Sequence, residues 1–184
     1  FASGMGAIAT LLLALLGKGK SLAAHPVLYG SSHNLIAGIL PDYGIRTTLL
    51  DLRDEENLIR LKKDGVDVVY LETPCNPTLE ILDIARIREC LGPEVKIVVD
   101  NTFATPMLQQ PLALGADFVV HSCTKYIGGH GDALGGIVIG RDKGFEAELR
   151  FGFMCEFGAV MSPFNAWLFN RGLKTLDYRM KGHC

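Results

Sequence analysis

Asp117-Phe-Val-Val-His-Ser-Cys-Thr-Lys125-Tyr-Ile-Gly-Gly-His-Gly131 is the stretch on which the reading of the fold turns. Residues 117–121 make a short apolar run of strand length. Ser122, Thr124 and Lys125 follow at once, and a glycine-rich turn comes after them. Runs of this kind, bounded by turn residues, read as strands buried on both faces. Similar runs lie before it, at 47–52, 66–71 and 95–99, with a short one at 21–24 and a further one after it at 134–139. Helical patterns separate them. Ser3 is a candidate N-cap for an apolar helix over 5–16, ended by Gly17-Lys18-Gly19. A polar helix is expected over 55–63, a second over 83–91, and helical structure from 163 to 181. A loop with Pro106 and Pro111 leads into the strand at 117.

Apolar strands alternating with helices predict a three-layer α/β fold around a mostly parallel sheet. In such sheets ligands sit beyond the carboxyl ends of the strands. The polar residues just after each strand are therefore the ones with chemistry to offer: Glu72 with Asn76, Asp100 with Asn101, and Ser122 to Lys125. Neither repeats nor an obvious linker appear, so residues 1–184 read as one domain.

Composition narrows the function. The chain has 184 residues, 48% hydrophobic and 21% charged, with a net charge of −2. Nothing there points to nucleic acid or an anionic membrane. The run 7–16 lacks a basic segment before it and is too short to span a bilayer, so it reads as a core helix. Five widely spaced cysteines without a C-x-x-C pair read as reduced intracellular thiols. A zinc site built from His121, Cys123 and His130 would lack the spacing of a recurrent motif, and no metal site is expected. The chain opens at Phe1 and runs almost directly into a helix, which suggests a piece of a longer protein.

Ser3-Gly4-Met5-Gly6 can be a phosphate cup, since a helix N-terminus offers free N–H groups and the positive end of its dipole. It can equally be a plain helix cap. Gly4-x-Gly6-x-x-Ala9 also fits the dinucleotide fingerprint, but that motif needs a preceding strand and an acid about 20 residues on. Lys18, Lys20 and His25 stand in that region instead. Asp100 admits a metal ligand, a general base, a partner for a ring nitrogen, or a turn residue. Lys125 beside two hydroxyls places an amine where a phosphate can be held, and the strand before it puts that amine near the interior, where a lysine needs a partner or a covalent use.

Residues 117–131 resemble the lysine signature of the Cys/Met-metabolism family of pyridoxal-phosphate enzymes. The family includes cystathionine γ-synthase, cystathionine γ-lyase, methionine γ-lyase and O-acetylhomoserine sulfhydrylase. The likeness continues in Ser3-Gly-Met-Gly-Ala7, Leu28-Tyr29-Gly30, Glu72-Thr-Pro-Cys-Asn76-Pro77 and Val98-Val-Asp100-Asn-Thr102. It extends through Pro111-Leu-Ala-Leu-Gly-Ala-Asp117 and Ser162-Pro163 to Arg171-Gly-Leu-Lys-Thr175. The ordered set covers essentially the whole chain.

The resemblance implies the aspartate-aminotransferase-like large domain (fold type I), pyridoxal 5′-phosphate as cofactor, and an amino-acid substrate. Gly4 and Met5 would give N–H groups to the phosphate, with hydroxyls from Ser122 and Thr124. Tyr29 would stack on the ring and assist proton transfer, and Asn76 would sit near the ring hydroxyl. Asp100 would pair with the ring nitrogen and Lys125 would form the Schiff base. A carboxylate about 4 Å from a protonated nitrogen gives roughly 4 kcal/mol at an effective dielectric of 20. The catalytic set is thus Lys125, Tyr29 and Asp100. The resemblance further implies a cytoplasmic homotetramer with shared sites. It also implies an N-terminal arm and a C-terminal domain, the latter carrying the arginine that grips the substrate carboxylate, beyond these 184 residues.

Departures bear on substrate. Methionine γ-lyases carry a cysteine where Ser31 stands, and a Lys-Asp pair where Met154-Cys155 aligns; Gly30-Ser31-Ser32 also replaces the commoner Gly-Gly-Thr. The expected reaction is γ-elimination, favoured by the likeness over 162–184, with γ-replacement as the alternative. A non-catalytic relic of the fold and an NAD-dependent dehydrogenase are the readings from other classes.

Overall fold

The computed structural model describes all 184 residues. One six-stranded sheet runs β2-β1-β3-β4-β5-β6, with β1 at Ser21–Ala24, β2 at Arg46–Leu49, β3 at Val68–Glu72, β4 at Lys96–Asp100, β5 at Phe118–Ser122 and β6 at Gly136–Gly140. All neighbours pair in parallel except β5 and β6. The helices are α1 (Gly4–Leu15), α2 (Gly30–Asn34), α3 (Glu55–Lys63), α4 (Ile84–Leu91), α5 (Thr105–Leu108), α6 (Lys143–Glu148), α7 (Met154–Glu156), α8 (Pro163–Leu173) and α9 (Leu176–His183).

Period-two alternation along the central strands builds two cores, one on each face. Leu22, Ala24, Val68, Tyr70, Val98, Phe118 and Val120 pack with Ile8, Leu11 and Leu12 of α1. The intervening Ala23, Val69, Leu71, Ile97 and Val99 pack with Leu58 and Leu61 of α3 and Ile84, Ile87 and Leu91 of α4. Burial on both faces is why these strands are continuously apolar. Three layers follow, as the sequence predicts.

The helices carry their caps in sequence. Ser3 accepts from Gly6 N–H, Asp54 from Glu56 N–H, Asp83 from Arg86 N–H and Ser162 from Asn165 N–H, each satisfying a first-turn donor.

Some expectations shift. The strand expected as buried over 47–52 is the half-exposed edge strand β2, with alternating exposure. One helical stretch over 163–181 is two helices broken at Lys174-Thr175. The break falls where Gly172 closes on the Ile127 and Gly128 carbonyls, leaving no room for a Cβ. Residues 143–156 are helical, which the sequence pattern does not announce, although Asp142 caps α6 by accepting from Gly144 and Phe145 N–H. No helix is long and apolar enough to cross a membrane.

Candidate active site

The strand order reverses between β1 and β3, since the chain leaves β1 for the edge and returns on its other side. A crevice opens at such a point, beyond the carboxyl ends of the strands. A cleft of 580 Å³ lies at these ends. Gly4, Met5, Tyr29, Asn76, Asp100, Ser122, Thr124 and Lys125 all line it, together with Ser3, Ile8, Glu72, Pro74, Thr102, Phe103 and Leu134. The structure thus brings all eight sequence-predicted residues to one cavity.

On one side α1 points its N-terminus at the end of β5. The first N–H groups of a helix have no carbonyl within it to bond, so Gly4 and Met5 offer theirs to the cleft. Gly4 lies so close to β5 that a Cβ there would stand 2.8 Å from Ser122 Cβ. Glycine is what lets the helix end and the Ser122 hydroxyl share one small space. Thr124 Oγ1 accepts from Gly135 N–H at 3.2 Å, which fixes the hydroxyl beside them.

The floor is acidic. Asp100 Oδ1 accepts from Thr102 N–H at 2.9 Å and from Thr102 Oγ1 at 2.5 Å, and the same hydroxyl oxygen accepts from Ser122 N–H at 2.8 Å. Thr102 therefore ties the end of β4 to the end of β5. Asp100 Oδ2 faces the Tyr70 hydroxyl at 3.4 Å, and Asp100 has no ion-pair partner. Burial pushes its carboxyl above the usual range, partly offset by the Thr102 and Tyr70 hydrogen bonds.

Glu72 stands beside it, register-paired with Asp100 across β3 and β4. Its Oε2 accepts from Tyr29 N–H at 2.9 Å, and Tyr70 lies between the two acids. Burial, then the Asp100 charge, raises Glu72 to about 7. From sequence Glu72 is a strand-end residue without an assigned role. The signal was its position, the same as Asp100 one strand over. Thr102 was quoted in a motif and likewise left without one.

One further placement differs from expectation. Lys125 is exposed at the cleft rather than interior, because the turn after β5 carries it past the sheet edge. Tyr29 is 46% exposed at the mouth of the cleft, where its ring is open to a ligand. Cys123 and His121 are buried and His130 is exposed, and these three do not converge on one point. His121 Nδ1 lacks a hydrogen-bond partner, and burial lowers the ring to about 4.

A sheet of this topology with a phosphate-sized cup at a helix N-terminus, a buried carboxylate and a lysine at adjacent strand ends defines a fold type I pyridoxal-phosphate domain. The residues fit the cofactor: the cup that a Cβ would fill can take a phosphate, and the unpaired Asp100 carboxylate can take a protonated ring nitrogen. The chain belongs to the Cys/Met metabolism family of PLP-dependent enzymes, whose profile matches residues 1–184. It is similar to the L-methionine γ-lyase of Treponema denticola, 43% identical over 186 residues, covering 99% of this chain and 46% of that protein. It is also similar to the cystathionine γ-synthase/O-acetylhomoserine (thiol)-lyase of Bacillus subtilis, 42% identical over 186 residues, covering 100% of this chain and 49% of that protein. Among solved structures, cystathionine γ-synthase from Xanthomonas oryzae pv. oryzae in complex with cystathionine superposes with a TM-score of 0.92 at 39% identity, over 96% of this chain and 46% of that one. The chain spans about half the length of these relatives.

Proposed function

We propose that these residues form the cofactor-binding domain of a PLP-dependent enzyme of sulfur amino-acid metabolism, acting by γ-elimination to release a 2-oxo acid, ammonia and a thiol. The observation that carries the reading is one cleft holding Lys125, the free Asp100 carboxylate and the Gly4–Ser122 cup together. The whole protein is proposed to be a cytoplasmic homotetramer with sites shared between subunits. The domain is proposed to be single, with a substrate-carboxylate arginine supplied from outside it.

Bound pyridoxal phosphate supplies an electron sink for the pair left when a substrate C–H bond breaks. The chain's own residues do the rest. Gly4 and Met5 N–H, with the Ser122 and Thr124 hydroxyls, hold the phosphate. Asn76 would stand on the ring's hydroxyl side and Tyr29 would stack on the ring, both lining the cleft. Asp100 holds a proton at the ring nitrogen, while Thr102 orients its carboxylate. Lys125 would anchor the cofactor covalently, and its free amine would take the substrate's Cα proton and then move protons at Cβ. Tyr29 assists that transfer at the mouth of the cleft.

A γ-replacement enzyme uses the same groups and parts from a lyase only in whether a thiol is seated before water enters. The likeness to the Bacillus subtilis protein supports that second reading, and the likeness to the Treponema denticola lyase supports the first. Ser31, a hydroxyl where methionine-specific relatives carry a thiol, leads us to expect cystathionine or an activated homoserine to outperform methionine. The test is to give full-length enzyme each amino acid, with and without cysteine or sulfide. Oxo acid formed from cystathionine without added thiol is the expected result. Product that appears only with a thiol present contradicts elimination.

A further inference from the structure

Three groups with different donor atoms meet behind the turn that carries Asn76. His25 follows β1, Cys75 follows β3, and Glu80 closes the same turn. His25 and Cys75 are both 0% exposed, and one donor atom from each of the three lies within 4.8 Å of the other two. His25 Nε2 stands 3.4 Å from Glu80 Oε2. Cys75 and Glu80 share one turn while His25 comes from 50 residues before Cys75 in the chain, so no sequence spacing announces the group.

We infer that His25, Cys75 and Glu80 form a binding site for a thiophilic divalent cation of the zinc class, beside the cofactor cleft but separate from it.

Thiolate, imidazole and carboxylate are the donor types zinc takes, commonly three from protein with water in the fourth position. The backbone holds two of the donors in place. Cys75 N–H donates to the Glu80 carbonyl at 2.9 Å and Leu79 N–H to the Cys75 carbonyl at 2.8 Å. That short closure puts Leu79 at φ 61, a left-handed conformation uncommon for a residue with a Cβ.

The surrounding charges favour a cation. Asp51 and Glu80 face a single guanidinium, Arg53, which leaves one negative charge uncompensated. Arg53 pairs with Asp51 through both Nε and Nη2, so it keeps a partner when Glu80 turns to an ion. Asp51 Oδ1 lies 3.6 Å from His25 Nδ1, on the side of the ring away from Glu80. A carboxylate there is the outer partner that orients a metal-bound imidazole.

Binding moves two protons. The Cys75 thiol, which donates to the Glu72 carbonyl at 3.1 Å, breaks that contact and releases its proton to solvent, and the His25 proton comes to rest on Nδ1, facing Asp51. Leu52 N–H, 3.3 Å from that nitrogen, gives up its contact. Burial, with Glu80, Glu72 and Asp51 adding to it and Arg53 opposing, raises the thiol to about 11. The metal-free thiol keeps its proton, donated to the Glu72 carbonyl. Glu80 is 30% exposed along its side chain and gives the ion a way in. Cys75 lies between Pro74 and Asn76, which both line the cleft, so a bound ion braces that wall.

The test titrates Co²⁺ into chelator-stripped full-length protein. The expected result is a saturable near-ultraviolet thiolate-to-cobalt band with visible d–d bands, one ion per chain, removed by added Zn²⁺. Cys75→Ser abolishes the thiolate band, and Glu80→Gln, at a part-exposed position, weakens Co²⁺ binding at least tenfold. Lys125→Ala leaves the band intact, which separates this site from the cleft. Circular dichroism checks that Cys75→Ser folds, and if it does not, Glu80→Gln decides. Absence of a thiolate band, a band that survives Cys75→Ser, or Glu80→Gln with unchanged affinity overturns the site.

Discussion

Asp100 and Glu72 are two acids on one floor with different tasks. Asp100 has Thr102 on one oxygen and only a long contact to Tyr70 on the other, so its open side faces the cleft. If it holds a proton at the ring nitrogen, Asp100→Ala cuts turnover at least a hundredfold while the fold survives. About 4 kcal/mol of charge pairing is lost with it. Asp100→Asn is equally poor, because an amide carries no charge; steady-state kinetics of the two variants check this. Glu72 has its partners inside the protein, and its carboxyl is raised to about 7 from about 4.5. Between those values the folded state holds a proton that the unfolded chain has released. Its contribution is therefore fully present below about 4.5 and lost as pH rises through 7, at most about 3 kcal/mol. Urea unfolding of cofactor-free wild type and Glu72→Gln at pH 5 and pH 8 reads this. The wild type should lose more stability than the variant as pH rises, and the subtraction cancels the opposing titration of His121. A variant that tracks the wild type at both pH values contradicts the raised carboxyl. Asp100 was legible because it ends an apolar strand in a recognisable motif; Glu72 ends another, but its link to Tyr29 is a tertiary contact that no local pattern carries.

At the scale of elements, the caps and central strands were legible because their causes are local. Ser3 marks its helix as expected, and β3, β4 and β5 are apolar because both faces are covered. Asp54, Asp83 and Ser162 cap their helices by the same local rule without being named as caps from sequence. Three elements were not so readable. Strand β2 looked buried on composition, yet it lies at the sheet edge, which only strand order decides. The α8–α9 break depends on Gly172 meeting the Gly128 turn, and the helix at Asp142 was hidden by the glycines and phenylalanines after its cap. The junction of α1 with β5 has a sharp requirement of its own. Gly4→Ala puts a methyl 2.8 Å from Ser122 Cβ, so the helix end must move. We expect pyridoxal-phosphate affinity to fall at least tenfold, with roughly 1–3 kcal/mol of stability lost to overpacking. Absorbance titration of the cofactor-free variant, with circular dichroism to check the helix, tests this; wild-type affinity contradicts the cup.

For the whole molecule, sheet order turns scattered sequence into a site. Residues from position 4 to position 125 meet at the carboxyl ends of the parallel strands β1, β3, β4 and β5, where the strand order reverses between β1 and β3. The family was readable from the ordered motifs. Elimination against replacement was not, because that choice depends on how water and a second substrate are admitted, and the chain spans about half the length of its relatives. The exposure of Lys125 was likewise set by the turn after β5 and not by the strand before it. The central claim is that one cleft holds pyridoxal phosphate with Lys125 as its covalent anchor. Purified full-length protein should be yellow; after borohydride reduction and proteolysis, peptide mapping should find the pyridoxyl group on Lys125, one per chain. A pyridoxyl group on another lysine, or none in protein that carries the cofactor's absorbance, would contradict the account.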